Sequence, residues 1–149
     1  MAQTTGGVSF RNATLEYSLG ATAWTDASNS LCTVEVSGGD RKSGEVWTAT
    51  GEGPIVTFGK LEPHEITAKT VYTEVTSELY QLALAAKEAG TNWYLRWTVQ
   101  GTATGKFRYT TGVGQVISCP MPGGDVSDGA PVTAGLKFKC GSIVGAAIA

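Results

Sequence analysis

Residues 66–100 read ITAKTVYTEVTSELYQLALAAKEAGTNWYLRWTVQ, and the spacing of their hydrophobic residues changes twice along this stretch. Its beginning belongs to a segment from Glu65 to Val75 that is rich in β-branched residues, which predicts a long strand. From Leu79 the apolar residues recur three and four positions apart, which is typical of an amphipathic helix. From Asn92 to Gly101 apolar and polar residues alternate, which predicts a strand with one buried face.

The predicted helix extends from Ser77 to Ala89. Thr76 or Ser77 is the expected N-cap, and Glu78 lies in the first turn, where the helix dipole favours a carboxylate. Gly90 directly follows the helix and is expected to end it. We expect the apolar stripe of the helix to pack on the sheet that contains the next strand, through Leu79, Leu82, Ala86, Trp93, Leu95 and Trp97.

Alternating or apolar runs predict further strands on both sides of this stretch, within residues 8–19, 31–37, 55–58, 106–111, 113–119 and 132–140. About seven to nine strands with one inserted helix predict a mainly β protein, a small sandwich or barrel whose helix covers one sheet or one end. We expect residues 1–149 to form one domain. Residues 1–7 are expected to be a flexible arm, and residues 141–149 an apolar C-terminal arm that docks on another surface.

The segment from Gly38 to Pro54 is different in composition. It contains glycine at five positions together with several charged residues and one large aromatic residue, Trp47. Such a segment is too polar and too flexible for a core, and it predicts a long glycine-rich hairpin loop or a mobile excursion. Exposure of the Trp47 side chain to water in such a loop is costly.

The charge balance excludes several classes of protein. Eleven Lys and Arg residues against thirteen Asp and Glu residues give a net charge of −2. This balance argues against a sequence-independent nucleic-acid binder, and against a polybasic protein of membrane surfaces. No run of apolar residues is long enough for a transmembrane helix, and the first ten residues lack the pattern of a secretion signal, so synthesis in the cytoplasm is expected. Charged residues are only 16% of the chain, which suggests that copies of the chain cover much of its surface.

No pattern for catalysis, a cofactor or a metal emerges. The single histidine, His64, has no nucleophile motif beside it, and the two aspartates Asp125 and Asp128 are typical of turns rather than of a calcium loop. The sequence GTATGK at residues 101–106 lacks the spacing of a phosphate-binding loop. The aromatic residues around 93–97 are more typical of a sheet core than of a stacking surface for bases or sugars. The three cysteines, Cys32, Cys119 and Cys140, are too widely spaced for a zinc site and are expected to be buried, reduced thiols.

Several short motifs follow one another in a familiar order. A W-x-D motif (Trp24, Asp26) precedes the glycine-rich excursion, and ITAKTVYTE leads into the helix SELYQLALAAKEAG. The aromatic strand, the loop PMPGGDVSDGAPVT and a final LKFK strand follow. In this order, from Val8 to Ile143, the sequence resembles the major tail tube proteins of long-tailed bacteriophages. The resemblance implies a two-sheet β-sandwich or barrel with one flanking α-helix.

The same resemblance implies a structural role. In such proteins six copies form a ring, and their inner sheets join edge to edge around a lumen. The rings stack into a tube built around a tape-measure protein, bounded by tail terminator and baseplate proteins. DNA passes through the lumen without specific binding. The implied location is the virion tail, assembled in the host cytoplasm, and the tube proteins of contractile tails and of type VI secretion are similar.

In this family a long loop near residues 38–54 reaches the neighbouring ring. We therefore assign this segment to contacts between rings, as a loop that is mobile in the free subunit and orders on assembly. Trp47 is the expected buried anchor. The other residues assigned to this contact are Asp40, Arg41, Lys42 and Glu52.

Two other classes of function remain open from the sequence. One is a different β-sandwich module of a virion, such as a decoration or receptor-binding protein. The other is a small enzyme or a sugar-binding β-barrel. Size-exclusion chromatography and electron microscopy separate them: tubes or hexameric rings indicate the first hypothesis, trimers or capsid-bound monomers the second, and a monomer stabilised by a ligand the third.

Overall fold

The structure, a computed structural model, describes residues 8–127 and 129–149. The predicted N-terminal arm, residues 1–7, lies outside the described residues. Among the described residues, eleven strands and one α-helix follow in this order: β1 Thr14–Ser18, β2 Thr25–Asp26, β3 Leu31–Gly38, β4 Arg41–Val46, β5 Ile55–Leu61, β6 His64–Val71, α1 Leu79–Ala89, β7 Asn92–Thr98, β8 Phe107–Thr111, β9 Gly114–Ser118, β10 Thr133–Cys140 and β11 Ile143–Ala147. The prediction of a mainly β fold with one helix is confirmed.

Nine of the strands form one antiparallel sheet that folds over at β7. The paired strands follow in the order β11, β8, β7, β9, β10, β6, β3, and β1 and β2 attach to the other edge of β7. The beginning of β7 pairs with β9, through Asn92 and Gln115, whereas its end pairs with β8, through Arg96 and Thr110. Strand β7 therefore joins two layers, an inner layer of β9, β10, β6 and β3 and an outer layer of β1, β2, β8 and β11. We use these two names below.

The core lies between the two layers. In β10 the residues Ala134, Leu136, Phe138 and Cys140 are buried, and the residues that alternate with them, Lys137 and Lys139, are exposed. The same alternation in the other strands fills the interior with large apolar side chains. Those that are almost fully buried are Leu15, Ile66, Leu79, Trp93, Leu95, Leu136 and Phe138.

Helix α1 begins at Leu79 rather than at Ser77. Glu78 occupies the N-cap position and makes no side-chain capping bond, so neither Thr76 nor Ser77 caps the helix as predicted. The reason is a turn before the helix, in which the N–H of Glu78 donates to the carbonyl of Val75 over 3.0 Å. At the other end Gly90 has φ 66°, which a glycine adopts without a steric penalty, and its N–H donates to Lys87.

The helix packs on the inner layer, mainly against β9 and to a lesser extent β10. Its buried side chains are Leu79, Tyr80, Ala83 and Ala86, and the hydroxyl of Tyr80 donates to the carbonyl of Pro120 over 2.9 Å. Of the six residues predicted for helix–sheet packing, five are buried, whereas Leu82 is only partly buried at the border of the core. No helix in the described part of the chain is long and apolar enough to cross a membrane.

The C-terminal segment is part of the sheet. Residues 143–147 form β11, which pairs with β8 from Ile143 opposite Thr111 to Ala147 opposite Phe107. Main-chain hydrogen bonds hold this strand in the sheet. Its side chains are small and do not alternate between apolar and polar, so there was no strand pattern to detect in the sequence. Within the expected docking arm at 141–149, residues 143–147 are therefore an edge strand of the sheet.

The three cysteines are free thiols, but they are not all buried. Cys119 and Cys140 lie in the core, where burial raises the pKa of each thiol. Cys32 is exposed on β3, which corrects the prediction that it is buried. The local bulge between Leu31 and Thr33 in the pairing of β3 with β6 accounts for the difference, because it takes Cys32 out of the inward-facing alternation.

This difference predicts the pattern of thiol labelling. At pH 8 an aromatic disulfide reagent should react rapidly with Cys32 alone in the folded protein, because a thiol must be accessible to react. After denaturation without reductant all three thiols should react. A Cys32→Ser variant is the control and should show no rapid phase. Rapid labelling of Cys119 or Cys140 in the folded protein would contradict the placement of the core.

Candidate functional site

Among the described residues, no group of three or more His, Cys, Asp or Glu side chains could hold a metal ion. His64 begins β6, and its imidazole lies so close to Gly39 that a side chain there would collide with it. Asp125 accepts hydrogen bonds from the N–H and the hydroxyl of Ser127, which lower the pKa of the carboxyl and mark a turn. Asp128 lies outside the described residues.

The most unusual feature of the surface is a β-hairpin formed by β4 and β5. These two strands form a separate sheet, with Ser43 opposite Phe58 and Val46 opposite Ile55. The hairpin leaves the inner layer between the end of β3 and the beginning of β6. The segment 38–54 is therefore not one long loop as predicted, because its first half is a strand and only residues 47–54 join β4 to β5.

Two glycines and two main-chain bonds define the base of this hairpin. Gly38 and Gly39 have φ 77° and 78°, in the left-handed region that favours glycine, and a side chain on Gly38 would collide with the carbonyl of Pro63. The N–H of Gly39 donates to Pro63 over 3.4 Å, and the N–H of Glu62 donates to Asp40 over 2.8 Å. The chain can therefore turn sharply out of the sheet without breaking the pairing of β3 with β6.

Apolar side chains cover much of the hairpin and remain in water. The register places Val56 and Phe58 on one of its faces and Val46 and Ile55 on the other. Phe58 is 72% exposed and Trp47 is 64% exposed. We define the hairpin apolar surface as Val46, Trp47, Ile55, Val56, Phe58 and Leu61, all of which are exposed. Exposed apolar side chains concentrated on a projecting element are typical of a protein–protein contact.

The residues predicted for assembly lie at two places on the hairpin. At its base, the guanidinium of Arg41 donates to the carbonyl of Gly59 over 3.0 Å, and Lys42 forms an exposed ion pair with Glu62 at 3.4 Å. Asp40 also lies at the base, whereas Trp47 and Glu52 lie in the connecting loop. Sequence reasoning missed Val56, Phe58 and Leu61. Their only signal was a short apolar run without an assigned partner strand.

Unpaired strand edges are a second feature suited to assembly. The path of paired strands ends at β3 on one side and at β11 on the other. Within the described residues each of these strands has one neighbour, so its other edge presents main-chain donors and acceptors. Such edges favour the addition of a strand from another chain.

The W-x-D motif has a structural role. Arg96 on β7 forms a bidentate ion pair with Glu16 on β1, at 2.5 and 2.9 Å, and its guanidinium lies 4.4 Å from the centre of the Trp24 ring. Asp26 accepts hydrogen bonds from the N–H and hydroxyl of Ser28, which lower the pKa of its carboxyl. These contacts fix the loop between β1 and β2 on the outer layer.

Replacing Arg96 with lysine should lower the free energy of unfolding by about 1–2 kcal/mol, because lysine cannot form the bidentate pair or stack flat on Trp24. Urea denaturation monitored by circular dichroism measures this change. Arg41→Lys on the exposed hairpin is the matched control and should change stability by less than about 0.5 kcal/mol. Equal losses of unfolding free energy for the two substitutions would show that the Arg96 contacts stabilise the fold no more than those of an exposed arginine.

Comparisons with known proteins identify solved structures that share this fold. A scan against protein-family models gives no match, and a search of curated proteins gives none. Solved structures do match. The SPP1 tail tube is 13% identical, with a TM-score of 0.68 over 96% of this chain and 81% of that one. A chain of the sheath–tube complex of the extracellular contractile injection system PVC is 12% identical, with a TM-score of 0.65 over 99% of this chain and all of the other.

A third structure, the tail of an empty gene transfer agent (GTA) particle, is 10% identical, with a TM-score of 0.62 over 99% of this chain and all of that one. At these identities the likeness concerns the fold. The chain has the fold of phage and contractile-system tail tubes.

Proposed function

We propose that this chain, residues 1–149, is a single-domain structural subunit of a phage tail tube, which self-assembles into stacked hexameric rings. The observation that carries the proposal is the hairpin apolar surface on a fold that is shared, over almost the whole chain, with tube subunits. A two-stranded hairpin with exposed apolar residues on both faces is marginally stable by itself. It gains stability if another subunit covers it.

Lateral contacts close the ring in this proposal. The free edge of β3 meets β9 of the neighbouring subunit at residues 116–118, which do not pair with β7, so that the inner layers continue from one subunit to the next. Contacts between two different surfaces close into a ring when the rotation between neighbours completes a full turn. The exposed face of the inner layer then lines the lumen.

Axial contacts stack the rings. The hairpin apolar surface contacts the next ring and becomes ordered there, with Trp47 as the anchor. Asp40, Arg41, Lys42 and Glu52 form the polar rim of this contact, which supplies orientation more than affinity. An apolar centre with a polar rim would account for the presence of both apolar and charged residues on the hairpin.

The partners follow from the proposed tube. The other structures with this fold include an AFP tube-terminating cap and an AFP baseplate. By analogy, the tube is built around a tape-measure protein, meets terminator and baseplate proteins at its ends, and conducts DNA without sequence-specific binding. The proposed location is the virion tail, with assembly in the host cytoplasm. A tube of a contractile injection system is the alternative that the comparison with PVC favours.

Negative-stain microscopy of the purified chain over a series of concentrations tests the proposal. The expected result is rings at low concentration and tubes at high concentration, because ring stacking adds weak contacts cooperatively. A chain that stays monomeric at every concentration, and melts at a higher temperature with a small ligand, would support an enzyme or sugar-binding barrel. Trimers would support a decoration or receptor-binding module.

A further inference from the structure

We infer that the exposed face of the inner layer, together with the base of the hairpin, is a surface for the phosphate backbone of nucleic acid. We name it the lysine face and define it by Lys42, Lys60, Lys69, Lys137 and Lys139. Its position on the wall of a lumen rests on the proposed function. Its affinity for phosphate does not, because the free subunit already exposes it.

The pairing of β6 with β10 brings three of these lysines onto one face. In β10, Lys137 and Lys139 alternate with buried residues, and Lys139 lies directly opposite Glu65. Lys69 lies opposite Gly135, which precedes Lys137 by two residues in β10 and therefore lies on the same face. Cross-strand partners point to the same face of a sheet, so the three lysines form a stripe across the outside of the inner layer.

The hairpin base extends this stripe. An open groove between the inner layer and the hairpin is lined by Lys42 and Lys60 from the hairpin and by Lys139 from β10. Glu62 and Glu65 also line this groove. The groove therefore joins the two basic segments into one continuous surface.

The lysine face is positive although the chain is negative. Five lysines and Arg41 stand against four acidic residues, Glu35, Asp40, Glu62 and Glu65, whereas the whole chain has a net charge of −2. Two of the glutamates are engaged, Glu65 with Lys137 at 3.2 Å and Glu62 with Lys42 at 3.4 Å. Among the described residues, Lys60, Lys69 and Lys139 form no ion pair, so their charges are available to an anion.

The chemistry of this face favours a phosphate backbone. Lysine is a flexible, strongly hydrated point charge that contacts phosphate and releases condensed counterions on binding. The other outward-facing residues include Thr33, Ser37 and Thr67, whose hydroxyl groups can donate to phosphate oxygens. Contacts to phosphate oxygens hold a protein on the duplex but carry no sequence information directly. We therefore assign sequence-independent contact with double-stranded DNA.

Fluorescence anisotropy with a labelled 30-base-pair DNA duplex, from 50 to 200 mM NaCl, tests this assignment on the purified chain. The test variant Lys69→Gln/Lys139→Gln and the control variant Lys87→Gln/Lys106→Gln each remove two positive charges. We expect the test variant to bind at least about tenfold more weakly at 50 mM salt, and the slope of log K against log salt to decrease in magnitude by about two. The control should change affinity by less than about threefold.

Three results would overturn the inference. They are no DNA binding by the wild-type chain at 50 mM NaCl, equal losses in the two variants, and equally tight binding of a labelled polyglutamate, which would indicate an acidic protein partner instead. Circular dichroism shows whether each variant is folded, and Lys→Arg at the same two positions should restore binding. The assay needs no tube, so its failure and a failure of assembly in the micrographs are separate outcomes.

Discussion

Truncation of Phe138 to alanine should lower the free energy of unfolding by about 3–5 kcal/mol. Phe138 is fully buried in β10, where it lies between the two layers and pairs across the sheet with Ile66 and Val116. A phenylalanine in such a position cannot be removed without leaving a cavity, because strands pack against it from both sides. Urea denaturation followed by circular dichroism and by tryptophan fluorescence measures the loss.

The matched control for this prediction is Phe58→Ala on the hairpin. Phe58 is 72% exposed, so its truncation should change the stability of the subunit by less than about 0.5 kcal/mol. A loss below about 1 kcal/mol for Phe138→Ala would show that the core is elsewhere. A large loss for Phe58→Ala would show that the hairpin folds back onto the subunit.

Removal of the hairpin should abolish long tubes while the subunit stays folded. We propose replacing residues 41–61 with an Asn-Gly turn, because Asp40 and Glu62 are already joined by a 2.8 Å main-chain hydrogen bond that such a turn can close. The strands of the core are untouched, so the variant should melt cooperatively. The axial contact is lost, so microscopy should show single rings or free subunits.

Point substitutions make this prediction sharper. Trp47→Ser/Phe58→Ser should have the same effect on tubes, because it removes the two large aromatic side chains of the hairpin apolar surface. The control is Met121→Ser/Val126→Ser, which removes two exposed apolar side chains from the loop before β10. Tubes of normal length from the hairpin variants would refute the axial assignment. Loss of tubes from the control as well would mean that any loss of surface hydrophobicity prevents assembly.

The sequence was sufficient for the local elements whose signals lie close together. The alternation of Trp93, Leu95 and Trp97 identified β7, and Gly90 identified the end of the helix, because both signals are properties of a few neighbouring residues. The start of the helix was misplaced because Thr76 and Ser77 are good N-caps in isolation. In the folded chain the turn closed by Glu78 and Val75 contains them.

The features suited to assembly were harder to predict because they depend on pairing between distant segments. The run from Ile55 gave no sign that it pairs with residues 41–46, so the hairpin apolar surface could not be recognised. In β11 the main chain makes the pairing, and small side chains carry no period. The lysine face could not be recognised for the same reason, since Lys69 and Lys137 are far apart in sequence. The net charge of −2 for the whole chain gives no sign of a local excess of positive charge.

A helical reconstruction of assembled protein by cryo-electron microscopy tests the central claim most directly. We predict rings of six subunits in which the inner layers form a continuous wall, the lysine face points into the lumen, and the hairpin inserts against the next ring with Trp47 covered. A reconstruction in which the inner layer faces the outside, or in which the hairpin remains in solvent between rings, would contradict the account.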